Sequence, residues 1–177
     1  METFSAVLLV VLVGVLVSIV VHSLRVGISP MPSSRAAIDA VLRLVPSDTN
    51  GVVYELGAGW GGLAVALARQ VPNARVVAYE SSPVPFAVMW LRHHLLRRTV
   101  NLELRFGDFG SCSLRDASVV VCYLWPGAMT QLDERFRAEL SVGTLIVSNT
   151  FALRGWQPQT EVVLDDVYRT RIYRYVR

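Results

Sequence analysis

Cysteine and charged residues are scarce in this sequence. Its 177 residues include two cysteines, Cys112 and Cys122, and only 18% of the residues are charged. The cysteines form no C-x-x-C pair and share no spacing with histidine that is typical of a metal site, so no metal centre is indicated. We expect two ordinary thiols in a reduced domain that faces the cytosol.

A strong excess of one charge is also lacking. The formal net charge is +3 at pH 7, and the 17 basic residues are spread along the chain. A local concentration lies near the end, at Arg169, Arg171, Arg174 and Arg177. This balance is too mild to indicate a nucleic-acid partner, but it favours contact with an anionic membrane face.

Residues 4–21 contain neither charge nor proline, and their only polar side chains are Ser5 and Ser18. An apolar run of this length reaches the lower end of what crosses the hydrocarbon core of a bilayer. A cleaved signal peptide would need basic residues before the run and a small-residue cleavage site after it, and neither is present. We therefore expect residues 1–25 to form a single-pass membrane anchor.

The charges that flank this run predict its orientation. Glu2 is the only charged residue before it, whereas Arg25 and Arg35 follow it. The positive-inside rule then places the rest of the chain in the cytoplasm. We expect a linker and an amino-terminal helix over residues 26–50, followed by one ligand-binding domain over residues 51–177.

The most informative stretch is residues 55–62, which read E-L-G-A-G-W-G-G between an apolar strand and a helix. Gly57, Gly59 and Gly61 stand at alternate positions. Glycine permits positive φ and lets the backbone approach a ligand closely. The helix that follows offers unpaired N–H groups and the positive end of its dipole. The stretch therefore predicts a binding site for a small ligand that carries an anionic or carboxylate group.

Glu55 distinguishes between two interpretations of these glycines. Gly57, Gly59 and Gly62 also satisfy the G-x-G-x-x-G pattern of dinucleotide sites. A carboxylate two residues before the first glycine would repel a pyrophosphate and attract an ammonium or sulfonium cation. S-adenosylmethionine carries both cations and no phosphate. The acid-x-G-x-G-x-G pattern resembles motif I of the class I S-adenosylmethionine-dependent methyltransferases, and a nicotinamide site remains the alternative.

Strands and helices are predicted to alternate along the chain. A linker is expected over residues 22–32, helices over 35–45, 63–68, 83–97 and 127–140, and strands over 52–54, 75–79, 101–106, 119–123, 144–147, 161–164 and 171–176. This alternation predicts an α/β, Rossmann-like three-layer sandwich with a mostly parallel sheet. The last two strands have no helix between them, which favours an antiparallel hairpin.

Acidic residues end two of the predicted strands. Glu80 follows the second strand, where an acid can accept hydrogen bonds from ribose hydroxyls of either nucleoside cofactor. Asp108 and Phe109 follow the third, and could accept from an adenine amino group and stack on its ring. A solvated glutamate and a simple Gly-Asp turn are the alternatives. His93 and His94 lie on a predicted helix, where a surface position is favoured over a ligand or catalytic role.

An aromatic stretch follows the fourth predicted strand. Tyr123 and Trp125 come at its carboxyl end, where ligands bind in open α/β sheets. We expect these two residues to border the group that is transferred. No residue is indicated as a dedicated general base.

With these residues placed, the chain resembles the small membrane-anchored protein-lysine methyltransferases related to the mitochondrial enzymes that act on the adenine nucleotide translocase and on the ATP synthase c-subunit. The shared features are the apolar amino-terminal segment, Pro-Met-Pro-Ser at 30–33, the motif I turn, Glu80, Gly-Asp-Phe at 107–109, Tyr-Leu-Trp-Pro at 123–126 with Met129 and Leu132, Val-Ser at 147–148 with Phe151, and Gly-Trp-Gln-Pro at 155–158. Two departures are Glu55, where aspartate is commoner, and Trp60, where a small or acidic residue is commoner.

The resemblance implies S-adenosylmethionine as the cofactor and a protein lysine as the acceptor, with membrane-associated proteins among the expected substrates. A lysine amine must lose its proton before attack, and burial among Tyr123, Trp125 and Trp156 would lower its pKa or hold the cation by cation–π contact. The resemblance assigns cofactor contacts to the motif I residues, Glu80, Asp108 and Phe109. A small-molecule or lipid methyltransferase, a nicotinamide-dependent oxidoreductase and an inactive nucleoside-binding module remain alternatives.

Overall fold

The computed structural model describes residues 2–26, 31–95 and 99–177. The helices are α1 (Glu2–Val26), α2 (Arg35–Leu44), α3 (Gly62–Gln70), α4 (Pro83–Leu95) and α5 (Pro126–Glu139). The strands are β1 (Gly51–Leu56), β2 (Ala74–Glu80), β3 (Leu102–Phe106), β4 (Ala117–Cys122), β5 (Leu145–Asn149), β6 (Thr160–Val163) and β7 (Arg171–Val176).

The seven strands form one sheet in the order β3-β2-β1-β4-β5-β7-β6. Strands β1 to β5 are parallel, and β7 runs antiparallel to both β5 and β6. The predicted Rossmann-like fold with a mostly parallel sheet is thus confirmed. The strand order reverses beside β1, and in open α/β sheets the ligand crevice lies at the carboxyl ends of the strands at such a point.

Both faces of the sheet are buried, as expected of central parallel strands. Along β4, Val119 and Val121 join the core beneath α2 and α3, while Val120 and Cys122 join the core beneath α5. This two-sided burial explains the continuous apolar run in the sequence. It also fixes the carboxyl ends of β1 and β4, from which the candidate site is built.

Local hydrogen bonds fix the first helix of the domain. The Ser34 hydroxyl accepts a hydrogen bond of 3.1 Å from the Ala37 N–H and thereby caps the amino end of α2. At the other end, the Gln70 side chain donates to the carbonyls of Leu42 and Val45 at 2.6 and 2.9 Å. Helices α2 and α3 therefore form one layer beside the crevice.

Three details of the sequence prediction are corrected. The linker was expected from residue 22, but α1 continues to Val26, while residues 27–30 and 96–98 lie outside the described chain. β4 ends at Cys122, so Tyr123 follows the strand. His93 is only 7% exposed rather than at the surface, because the buried stripe of α4 is Pro85, Met89 and His93.

The amino-terminal helix stands apart from both cores. Its Thr3–Val21 window is long and apolar enough to cross a membrane, and none of that window is buried in the protein. A signal sequence would meet the same test of length and composition. The helix packs against α4, which connects it to the domain.

Candidate cofactor and active site

The loop between β1 and α3 requires glycine for two reasons. Gly57 and Gly61 have φ of +80° and +79°, a region that L side chains rarely adopt. A Cβ atom on Gly61 would also lie 2.5 Å from Cγ of Met89, and one on Gly57 would lie 2.6 Å from Cδ2 of Leu124. The loop thus follows a path that brings bare backbone close to the ends of the strands.

Glu80 holds this loop in place. Its Oε2 accepts a hydrogen bond of 2.7 Å from the Gly59 N–H, and its Oε1 accepts one of 2.6 Å from the Ser82 N–H. Its backbone carbonyl accepts from the Gly107 N–H at 3.0 Å. Each carboxylate oxygen keeps a second lone pair, so Glu80 can still accept a hydrogen bond from a ligand hydroxyl.

Glu55 is the exceptional group of the site. Its side chain lies at the end of β1 with 4% exposure, and its Oε2 is buried without a hydrogen-bond partner. Burial, and then the nearby charge of Glu80, raises the pKa of Glu55 to about 8. A buried carboxylate needs a compensating partner. The site therefore fits the ammonium or sulfonium group of S-adenosylmethionine and disfavours a pyrophosphate.

The cavity above Glu55 has a volume of about 110 Å³. Met31, Pro32 and Ser33 form one wall, and Tyr123 and Arg92 line it from other sides. The sequence of this proline-rich segment did not indicate that the segment would line a cavity, although it precedes a helix cap. Nothing in the sequence indicated Arg92, which reaches the cavity from α4.

A polar contact joins the proline-rich wall to the end of β5. The Asn149 side-chain amide lies 3.5 Å from the Ser33 hydroxyl, and Asn149 itself is buried. Thr150 follows with a positive φ of 71°, which turns the chain away from the strand. The wall is therefore attached to the sheet at the end of β5.

The two residues predicted to contact adenine are placed differently from each other. Asp108 is exposed, and its Oδ1 accepts a hydrogen bond of 2.5 Å from the Gly110 N–H. Phe109 is 7% exposed and packs in the core beneath α5. Asp108 is accessible to a ligand, whereas little of the Phe109 ring is available for stacking.

The aromatic residues predicted to form one mouth belong to separate groups. Tyr123 lines the cavity and stacks on Phe151 with ring centroids 6.5 Å apart. Trp125 meets the ring of Phe109 edge-on at 6.3 Å and does not line the cavity. The structure thus brings Tyr123, but not Trp125, next to Glu55.

Trp156 is held at α5. Its Nε1 donates a hydrogen bond to Asp133, the Arg137 guanidinium lies 4.9 Å above its ring, and its edge meets Tyr175. Sequence reasoning missed this arrangement. Among the described residues, no three or more His, Cys, Asp or Glu side chains are close enough together to hold a metal ion.

Comparison with known proteins agrees with this geometry. Residues 55–160 match the sequence model of a family described as the ANTKMT methyltransferase domain. The protein-lysine N-methyltransferase of Saccharolobus islandicus (strain REY15A) is 23% identical over 147 residues, which are 82% of this chain and 91% of that protein. The adenine nucleotide translocase lysine N-methyltransferase of Mus musculus is 31% identical over 137 residues, which are 76% of this chain and 58% of the mouse protein.

A solved structure has the same fold and contains the cofactor product. An RNA methyltransferase from Salinibacter ruber, in complex with S-adenosyl-L-homocysteine, superposes with a TM-score of 0.72 at 28% identity. The match covers 82% of this chain and 93% of the Salinibacter chain. Of the two interpretations of the glycine turn, these findings support motif I rather than a dinucleotide site.

Proposed function

The chain belongs to the ANTKMT methyltransferase domain family and is an S-adenosylmethionine-dependent methyltransferase, and we propose that its acceptor is a lysine side chain of a protein at a membrane. The buried, unpartnered Oε2 of Glu55 beneath the glycine loop supports the site for the cationic cofactor, and the names of the relatives support the lysine acceptor. Two relatives of this chain are named for protein-lysine methylation. The alternative acceptors are a small molecule or a lipid.

Each part of the site has a role in this proposal. Glu55 would hold the cationic end of the cofactor, Glu80 would accept hydrogen bonds from the ribose hydroxyls, and Asp108 would accept from the adenine amino group. Gly57, Gly59 and Gly61 allow the cofactor to lie against the backbone. When bound, S-adenosylmethionine supplies a sulfonium methyl group, and its sulfur keeps the electrons of the broken C–S bond.

Tyr123 and Phe151 would form the acceptor side of the cavity. Their rings give a low-polarity surface that disfavours the ammonium form of a lysine, and the proton leaves to solvent before attack. The lone pair of the neutral amine then forms the new C–N bond. Since the described cavity contains no second carboxylate beside Glu55, alignment of amine and methyl group is the main contribution of the protein.

Membrane attachment forms the second part of the proposal. Helix α1 would cross the bilayer through Thr3–Val21, with the catalytic domain on the cytoplasmic side. Two mouse relatives are named for acting on the adenine nucleotide translocase and on the ATP synthase c-subunit. An anchored domain of this kind would find its acceptor lysine within the same membrane.

The absence of lysine from this chain makes the proposal easy to test. All 17 of its basic residues are arginines, so methyl-lysine recovered from an assay comes from the substrate. Full-length protein in detergent would be incubated with tritiated S-adenosylmethionine and membrane fractions, and the protein pool would be hydrolysed to amino acids. We expect the label in methylated lysine. Label confined to RNA, to lipid extracts or to small molecules would overturn the lysine proposal and leave the methyltransferase assignment intact.

A further inference from the structure

Helix α4 exposes apolar side chains on its outer side, beside Arg92 and His94. Pro85, Met89 and His93 turn inward, whereas Leu91 is 49% exposed and Leu95 is 71% exposed. The helix sequence P-V-P-F-A-V-M-W-L-R-H-H-L contains no acidic residue. A surface helix of a soluble domain carries polar residues on the face opposite the core. The outer face of α4 is therefore built for an apolar neighbour.

A groove of about 460 Å³ runs beside this face, between α3 and α4. The floor of the groove is apolar and is formed by Trp60, Val65 and Met89. The side chains of Arg69 and Arg92 also line the groove. In the described part of the chain, neither of these guanidinium groups has a carboxylate within 4.0 Å, whereas six other arginines do. Two arginines beside apolar surface form a site for an anionic amphiphile, since guanidinium binds phosphate well.

The position of α1 indicates what this amphiphile is. The apolar helix packs against α4, and its half-buried residues Ser18, Ile19 and Ser23 lie at and just beyond the carboxyl end of its apolar window. A helix crossing a bilayer here would leave the membrane beside α4. Trp90, exposed on α4, is a residue type that is enriched at membrane–water interfaces.

We propose that α4 and the groove beside it dock on the surface of an anionic bilayer, with Leu91 and Leu95 at the boundary between headgroups and acyl chains and Arg69 and Arg92 bound to lipid phosphate. This inference rests on the membrane attachment proposed for α1. An acidic peptide would satisfy the arginines but would leave the exposed leucines uncovered. A bilayer would both bind the arginines and cover the leucines. Each arginine near the membrane adds electrostatic attraction to an anionic bilayer.

The docking would select the acceptor. The groove and the cofactor cavity share Trp60, Gly62 and Arg92, so the cavity opens beside the docked face. A lysine close to the bilayer surface would reach the methyl group, whereas one far out on a soluble domain would not. The substrate class is therefore a lysine at the membrane–water boundary.

Spin labels on the full-length chain test the docking. Leu91→Cys and Leu95→Cys would each be labelled with a nitroxide, with Val142→Cys as control, because Val142 is exposed in the turn before β5. The native cysteines are buried and should not react. The proteins would be reconstituted in phosphatidylcholine vesicles with or without phosphatidylglycerol, and label access to oxygen and to a water-soluble nickel complex would be measured.

In anionic vesicles, we expect the labels at positions 91 and 95 to be open to oxygen and shielded from nickel, with the label at 142 open to nickel. Arg69→Gln should remove this shielding, and Arg154→Gln, a surface control on the β5–β6 connection, should not. Hydrogen exchange of the unmodified chain gives a second readout, in which α4 should be protected in anionic vesicles and not in neutral ones.

The other outcomes separate the two proposals. If the chain resists carbonate extraction but positions 91 and 95 stay open to nickel, the docking inference is wrong and the anchor stands. Labels shielded from both reagents would mean that protein, such as a second copy, covers α4, which also overturns it. Equal shielding in both lipids, unaffected by Arg69→Gln, would overturn the requirement for anionic lipid and the role of Arg69. Release by carbonate would instead contradict the proposed membrane attachment itself.

Discussion

Glu55 and Glu80 end two adjacent parallel strands, and both carboxyl groups are buried. Their situations differ, because Glu80 accepts two backbone hydrogen bonds while Oε2 of Glu55 has no partner. Glu80 is thus a fixed part of the scaffold, and Glu55 is a group that needs a cation. Their mutual repulsion adds to the effect of burial on Glu55.

Cofactor binding should release a proton. The pKa of Glu55 is raised to about 8, so near neutral pH the free protein holds this carboxyl mainly protonated. A bound cation favours the ionised form, and affinity should rise with pH up to about 8, by at most about tenfold per unit. Calorimetric titration in buffers of different ionisation enthalpy measures the released proton.

The matched variants for this experiment are Glu55→Gln and Glu134→Gln. The first removes the titrating group, so it should bind weakly and release no proton. The second changes an exposed glutamate of α5 and should behave as the parent does. Equal observed enthalpies in all buffers for the parent would contradict the assignment of Glu55.

The same carboxyl should make the cofactor-free protein less stable at high pH. Its pKa in the folded chain, about 8, lies above its ordinary value of 4.5, so the folded state binds the proton more tightly. This contribution to stability is complete below 4.5 and is lost as the pH rises through 8. Glu55→Gln should therefore unfold at a higher temperature than the parent at pH 9, with no such gain at pH 4. A constant difference between the two melting curves across this range would refute the coupling.

Gly61→Ala should destabilise the fold through both backbone and packing. Its positive φ costs an alanine about 1–3 kcal/mol, and the new Cβ meets Met89. Gly59→Ala is the matched control, because its φ is also positive but a Cβ there meets no atom within 4 Å. Denaturant unfolding should give the larger loss for Gly61→Ala, and a smaller loss in a Met89→Ala background. Equal losses of unfolding free energy for Gly61→Ala and Gly59→Ala would show that the Met89 side chain moves aside at no cost in stability.

Glu80→Gln should weaken cofactor binding and loosen the glycine loop. Glutamine has one acceptor oxygen, so either the Gly59 or the Ser82 N–H loses its partner, at a cost of about 1–3 kcal/mol. Thermal unfolding and calorimetric titration measure the two effects. Glu103→Gln, on an exposed edge of β3, should leave affinity unchanged. Full affinity in Glu80→Gln would exclude a ribose contact.

Local spacing explains what the sequence could predict. The acid and the alternate glycines of motif I lie within seven residues, and their chemistry alone favours a cationic ligand over a pyrophosphate. The two-sided burial of β4 agrees with the unbroken apolar run over residues 119–122. The alternation of strands and helices then predicted the mostly parallel sheet, because each strand and each helix has its own spacing of apolar residues.

Long-range packing explains what it could not predict. The burial of His93 depends on which stripe of α4 faces the domain, and Met89 in that stripe packs close to Gly61. The wall formed by Ser33 depends on Asn149, which is 116 residues away. The sequence predicted Trp156 at the acceptor mouth. Its hydrogen bond to Asp133 could not be predicted, because Asp133 lies on another element and is distant in the sequence.

Tyr123→Ala and Trp156→Phe should separate catalysis from stability. Tyr123 lines the cavity, so its truncation should lower turnover while cofactor affinity is largely kept. Trp156→Phe keeps a ring between Arg137 and Tyr175 and loses the hydrogen bond to Asp133, which should cost about 1 kcal/mol of stability and leave turnover unchanged. Turnover on a lysine-containing substrate and thermal unfolding measure the two effects. A turnover loss in Trp156→Phe as large as in Tyr123→Ala would mean that the acceptor reaches α5, and would restore the wider aromatic mouth expected from the sequence.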